Sequence, residues 1–164
     1  IEYSYEPEAR GTAGALRGAM ELFDQYPILV MNGDSFCDVD LAQFIQWHFQ
    51  KGGTVTLTLA RVEKGERFGA VQFDSNYRLT EFSEKGHTAG PVWVNAGMYL
   101  MERAVIESIS RGEASSLETD IFPKLLAQGV YGYPIEGNFL DIGTPASYLG
   151  AEDYFCNTHQ NLKT

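Results

Sequence analysis

The chain has 164 residues, enough for one well-cored domain and short for two. Its apolar (44%) and charged (21%) fractions are those of an ordinary soluble globular protein. A net charge of -10 argues against a nucleic-acid backbone or an anionic membrane surface as partner, since both need a basic face. A small phosphorylated substrate is not excluded, because a few local cations or a metal suffice for it.

The opening "IEYSYEPEAR" reads as an alternating strand in the middle of a domain, which suggests a missing N-terminal piece. Gly11 to Phe23 is expected as a helix after a Gly-Thr turn, with Leu16, Ala19, Met20 and Phe23 on one stripe. Ile28 to Met31 is a continuous apolar run, the pattern of a strand buried on both faces. Val39 to Gln50 follows as a helix capped by Asp38 or Asp40 and stopped by Gly52-Gly53. "TVTLTLARV" alternates as a strand. Two further strands meet at a hairpin turn, Asp74-Ser75-Asn76.

"VWVNAGMYLM" is another buried strand, with Asn95 and Gly97 marking a bulge or a close ligand approach. Helices are expected from about Glu102 to Ser110 and from Leu117 to Gln128, a short strand at Val130–Pro134, and a closing helix at Pro145–Cys156 with proline in its first turn. Strands alternating with helices predict one α/β domain over residues 1–164, with a three-layer α/β/α build and a mostly parallel sheet plus an antiparallel hairpin. No apolar run approaches a membrane span, and no signal-peptide pattern opens the chain. Cys37 and Cys156 have no metal-ligand or redox spacing and read as free thiols of a reducing cytoplasm. The oligomeric state is left open.

In sheets of this kind ligands sit beyond the carboxyl ends of the strands. "LVMNGDSF" puts Asn32, Gly33 and Asp34 there, either as a strand-ending turn or as a site. Asp141 in "NFLDIGTPASYL" also follows apolar residues and precedes a glycine turn. It either caps the next helix or holds a cation, since a lone buried aspartate is costly unless something compensates its charge. Together the two acids suit a Mg²⁺ site of the kind used with phosphates, where one or two carboxylates suffice. "FSEKG" offers Glu84 and Lys85, an exposed charged pair or a point charge for a phosphate with an acid on sugar hydroxyls. Gly11 and Gly14 open a helix, a place where anions or a nucleotide edge settle. Phe82, Trp93 and Tyr99 read as core. His48, His87 and His159 are scattered, so Ser/Cys–His nucleophilic catalysis has no support.

Seven segments in this order, "EPEARGTAGAL", "LVMNGDSF", "FGAVQFD", "FSEKG", "VNAGMYL", "LETDIFPKL" and "FLDIGTPASYL", resemble the sugar-1-phosphate nucleotidyltransferases. The resemblance is nearest to the short heptose- and mannose-1-phosphate guanylyltransferases. It implies a Rossmann-like α/β fold, Mg²⁺, and transfer of a nucleoside monophosphate (GMP from GTP) to a sugar-1-phosphate with loss of pyrophosphate. It also implies roles by position. Asp34 and Asp141 match the metal-binding aspartates and Lys85 the lysine on the sugar phosphate. Glu84, Gly69, Asn95 and Ala96 match the sugar pocket. Glu6, Gly11, Thr12 and Gly33 match the nucleotide-binding loops.

Two features depart from the family. Phe139 replaces the tryptophan common before the second metal motif, and the signature Gly-rich loop with its Arg and Lys is absent and would lie upstream of Ile1. The 164 residues alone are therefore expected to turn over little. A non-catalytic nucleotide-sugar-binding homologue and a metal-dependent glycosyltransferase are the competing readings. The latter normally shows a tight Asp-x-Asp, and "CDVD" at 37–40 fits a helix cap better.

Overall fold

The computed structural model describes residues 1–63, 65, 68–82 and 90–161, with 157–161 by backbone alone. Its centre is a four-stranded sheet in the order β1-β6-β3-β7, formed by Ile28–Met31, Val92–Met101, Val55–Val62 and Val130–Pro134. β1 and β3 each pair antiparallel with β6, and β3 pairs parallel with β7. Three of these four strands therefore share one direction, and β6 runs against them. Strands β4 (Val71–Phe73) and β5 (Leu79–Phe82) form the expected antiparallel hairpin. Asp74 builds its turn by accepting the N–H groups of Asn76 (2.8 Å) and Arg78 (3.0 Å).

Side-chain alternation along β6 divides the core into layers. Tyr99 and Met101 join the main cluster on one face, with Leu57, Ala13 and Leu16 of α1 (Gly11–Gly18), Ile106 of α3 (Arg103–Ser108) and Phe122 of α4 (Phe122–Leu125). Met98 and Leu100 point the other way, onto Phe44 of α2 (Leu41–Lys51). This is the three-layer α/β arrangement that the pattern of elements predicts. Asp40 is the cap of α2, accepting the N–H of Gln43 at 3.0 Å, and Gly52 closes the helix in the left-handed region at φ 62°.

Four expectations are corrected. The opening residues 1–10 form no strand, and the 11–23 stretch is α1 followed by a 3-10 turn at Met20–Leu22 instead of one helix. β1 is not buried on both faces. It stands at the sheet's edge beside β6, and only Ile28 and Val30 pack against the main core, while Leu29 and Met31 are 40% and 57% exposed. The 117–128 stretch is not one regular helix. It comprises a π-turn at Leu117–Ile121, then α4, then a 3-10 turn at Leu126–Gln128.

β3 shows the opposite effect. As an interior strand it buries the polar side of its alternation too: Thr56 Oγ1 lies 2.7 Å from His48 Nδ1, and Thr58 Oγ1 donates to the Met98 carbonyl at 3.3 Å. His48 Nε2 in turn meets Glu102 Oε1 at 3.2 Å, so this histidine is a satisfied core residue. Both cysteines are free, Cys156 exposed and Cys37 half-buried, and burial pushes the Cys37 thiol up. Among the described residues no helix is long and apolar enough to cross a membrane.

Candidate active site

The site forms where β1 ends, beside the irregular middle of β6. Immediately after β1 the chain turns through Asn32-Gly33-Asp34 into β2 (Ser35–Cys37), which pairs antiparallel with β8 (Phe139–Asp141). In this ladder Ser35 stands opposite Asp141. The two acids singled out in the sequence are thereby brought to one place, and their side chains line the same cavity of about 590 Å³. Asn32, Gly69, Phe82, Asn95, Glu118 and Phe139 also line it.

The helix after β8, α5 (Pro145–Asn161), has its own cap. Thr144 and Ser147 serve one another reciprocally, each backbone N–H donating to the other's hydroxyl oxygen at 3.2 Å. Asp141 instead lines the cavity, and Gly143 leaves room beside it: a Cβ there would lie 3.3 Å from Asp141 Oδ2.

β6 departs from a regular ladder opposite Leu57 and Leu59, and Gly97 takes φ 79° there. This is the predicted irregularity. Glycine is required twice over, because a Cβ at Gly97 would lie 2.9 Å from Asn32 Nδ2 and φ is positive. The Gly97 carbonyl accepts the N–H of Asn32 at 2.8 Å, which ties the β1 turn to the irregular strand.

A polar chain runs from this point into the cavity. Asn95 Oδ1 accepts the Gly97 N–H at 3.0 Å, and Asn95 Nδ2 donates to Tyr99 Oη at 2.8 Å and to Glu118 Oε1 at 2.5 Å. Tyr99 is also hydrogen-bonded to the Asn32 side chain. Burial pushes the Tyr99 phenol far above its ordinary value; the Asn95 and Asn32 hydrogen bonds oppose the rise, and the charges of Glu118 and Asp34 add to it. Tyr99 is therefore a neutral, fixed link in the chain.

The other expected residues fall in different places. Ala96 alternates away from Asn95 and is buried in a core cluster with Ala60 and Val94. Gly11 and Thr12 brace the segment that carries Glu118. At φ 66° Gly11 lies so close to Ser115 that a Cβ would be 2.5 Å from its carbonyl oxygen, and Thr12 Oγ1 accepts the Leu117 N–H at 2.9 Å. The Ala13 and Gly14 N–H groups at the start of α1 are taken by the Ser115 carbonyl, at 2.9 and 3.4 Å. Glu6 Oε2 accepts the Arg10 N–H at 3.4 Å, away from the cavity lining, and Gly33 sits in the open turn before Asp34. Glu84 and Lys85 lie outside the described residues.

Sequence reasoning assigns Glu118 no role, although "SSLETD" carries a readable signal. Ser116 caps the turn, with its Oγ accepting the N–H groups of Glu118 (3.2 Å) and Thr119 (3.4 Å), and Asp120 Oδ2 answers by accepting the Ser116 N–H at 2.7 Å. Such a cap fixes which side chains of the first turn project outward.

Among the described residues no group of three or more His, Cys, Asp or Glu side chains is arranged for a metal. The donor set of the cavity, two aspartates joined through paired strands, fits a hard divalent cation that completes its shell with substrate oxygens and water.

The Nucleotidyl transferase family model matches residues 1–158. The chain belongs to this family. Among its relatives are a mannose-1-phosphate guanylyltransferase of Mycobacterium tuberculosis, 36% identical over 91% of this chain and 42% of its own length, and a D-glycero-alpha-D-manno-heptose 1-phosphate guanylyltransferase of Aneurinibacillus thermoaerophilus, 34% identical over 93% of this chain and 66% of its own. This nucleotidyl transferase family member also superposes on the crystal structure of HddC from Yersinia pseudotuberculosis complexed with GMP-PN, with a TM-score of 0.80 and 27% identity, covering 92% of this chain and 64% of that one. The chain spans less than two thirds of the length of each of these proteins.

Proposed function

We propose that the protein transfers GMP from GTP to a sugar 1-phosphate of the mannose or heptose type, forming a nucleotide-sugar and pyrophosphate. The single observation that carries this reading is the β2/β8 ladder, which brings Asp34 and Asp141 into one cavity with Asn95 and Gly69. The guanylyltransferase names of the relatives and the GMP-PN complex of HddC support the choice of base and sugar.

In the reaction an oxygen of the sugar phosphate forms a bond to the α-phosphorus in line, as the bond to the β-phosphate oxygen breaks and pyrophosphate leaves. The attacking phosphate has its second pKa near ~6 and is largely dianionic at neutral pH. No side chain has to remove a proton, so positioning and charge neutralisation carry the catalysis. Asp34 and Asp141 would hold Mg²⁺, which when bound offsets phosphate charge. Lys85 would serve the acceptor phosphate, and Glu6 would read the adjacent N1–H and N2 amino donors of guanine. One carboxylate accepts both donors side by side, whereas uracil and thymine offer a single N–H flanked by carbonyl oxygens.

The competing glycosyltransferase reading loses its candidate motif. In "CDVD" Asp40 is spent on the α2 cap, accepting from both the backbone and side chain of Gln43.

The test is pyrophosphate release by the complete protein, with GTP, ATP, UTP and dTTP against mannose 1-phosphate and heptose 1-phosphate, repeated on Glu6→Gln. The expected result is a Mg²⁺-dependent preference for GTP in kcat/KM that Glu6→Gln weakens. A preference for UTP or dTTP would refute the guanine reading, and nucleotide-sugar binding without any turnover would make the protein a sensor.

A further inference from the structure

We infer that Glu118 is a substrate-binding residue of the cavity, accepting a hydrogen bond from a hydroxyl of a bound sugar ring, with Asn95 holding it in place. The inference rests on the proposed nucleotidyl transfer and adds to it a recognition residue.

The donors and acceptors along the polar chain leave one position open. Asn95 cannot be turned over, because its Oδ1 takes the backbone N–H of Gly97, and a flipped amide would set two donors against each other. With Oδ1 so placed, both hydrogens of Nδ2 are consumed, one by Tyr99 Oη and one by Glu118 Oε1. Asn95 therefore has no donor left for a ligand. What it offers is orientation: it fixes one oxygen of Glu118 from behind.

The second oxygen, Oε2, has no hydrogen-bond partner among the described residues, and Glu118 lines the cavity. A carboxylate accepts hydrogen bonds and cannot donate them. A phosphate oxygen is repelled by such a group, whereas a hydroxyl can donate to it. The part of the substrate that faces Glu118 is thus the neutral polyol. The carboxylate is also on a rigid support. Ser116 and Asp120 close the turn around it, and Thr12 and Gly11 hold that turn from outside the cavity.

A hydroxyl of this kind exists on the acceptor sugar and on the ribose of the triphosphate, and the experiment separates them. Steady-state pyrophosphate release by the complete protein is measured for wild type, Glu118→Gln and Glu118→Ala, using the parent sugar 1-phosphate, its monodeoxy analogues, and 2′- and 3′-deoxy triphosphates. Binding of each sugar 1-phosphate is followed in parallel by calorimetry.

In the wild type, one monodeoxy sugar phosphate is expected to lose roughly tenfold to hundredfold in kcat/KM, the scale of one hydrogen bond to a charged group. In Glu118→Ala that penalty should vanish, because the partner hydroxyl no longer has anything to lose. KM for the parent sugar phosphate should rise while KM for the triphosphate stays within about twofold. Glu118→Gln, which keeps an acceptor for Asn95, should retain folding and recover part of the discrimination. If the vanishing penalty falls on a deoxyribose analogue instead, the acceptor role stands and the hydroxyl belongs to the nucleotide.

Deoxy penalties that persist unchanged in both variants overturn the inference while leaving the transferase reading intact. A wild type that neither binds nor turns over any sugar 1-phosphate overturns both.

Discussion

The backbone carbonyl of Asp34 accepts the N–H of Ile142 at 2.9 Å. The turn carrying the first aspartate and the one following the second are therefore joined through the main chain. The three paired residues of β2 and β8, Ser35–Cys37 against Phe139–Asp141, extend that joint along one wall of the cavity. These main-chain bonds hold the two segments together, so each charge can be removed with that frame left standing.

For that reason Asp34→Asn and Asp141→Asn are expected to fold like the wild type, with thermal midpoints within a few degrees. Each should lose more than about a hundredfold in pyrophosphate release, about 2.7 kcal/mol of barrier. The check is a rate assay at saturating Mg²⁺ beside a circular-dichroism melt. Activity within about tenfold of wild type would remove that residue from the proposed cation site.

Lys85→Ala should raise KM for the sugar 1-phosphate well beyond any change in KM for the triphosphate, with a lower kcat. The expectation comes from "FSEKG", where the lysine would meet the acceptor's phosphate. Initial rates over a two-substrate grid decide it; equal effects on both KM values would count against the role.

Gly97→Ala should cost about 2 kcal/mol or more in folding stability, because the left-handed φ and the close Asn32 side chain both resist a Cβ. The loss is expected as a lower urea midpoint with an unchanged slope. Since Asn95 is anchored on the Gly97 N–H, the same variant should also weaken sugar-phosphate turnover. A variant as stable and active as wild type would show that the irregular strand is not under this constraint.

Asp40 gives a pH-dependent expectation. The Gln43 backbone and side-chain hydrogen bonds hold its carboxyl below the ordinary aspartate range. A depressed folded-state value stabilises above the unfolded value and is lost as pH falls through the folded one. The difference in urea midpoint between wild type and Asp40→Ala should therefore be constant from about pH 7 to about pH 5 and shrink below about pH 4. A gap that widens on acidification would contradict the cap's charge dependence.

The site is legible in the sequence where an acid breaks an apolar run before a glycine turn, as at Asp34 and Asp141. What joins those acids is not. β2 and β8 are three-residue strands, too short to show any periodicity, and their pairing is a long-range event. β1 departs from expectation because a four-residue apolar run looks the same in the middle of a sheet and at its edge. Thr56 and Thr58 show the converse, an alternating pattern buried on both sides because the strand is interior. Glu118 escapes sequence reasoning because its placement depends on Asn95, a partner on another element, and only its cap at Ser116 is local.

Between Leu57 and Leu59 strand β3 advances two residues (59 minus 57), while its partner β6 spends four, from Asn95 to Tyr99 (99 minus 95). β6 thus carries two residues of slack at the place where it meets the cavity. A shorter β6 would make a tidier ladder, with continuous main-chain pairing and no glycine held at positive φ. It would also pull Asn95 out of reach of Glu118. The protein keeps extra chain where regular pairing would be more stable, so variants selected for thermal tolerance alone should drift toward tightening this segment and lose grip on the substrate as they do.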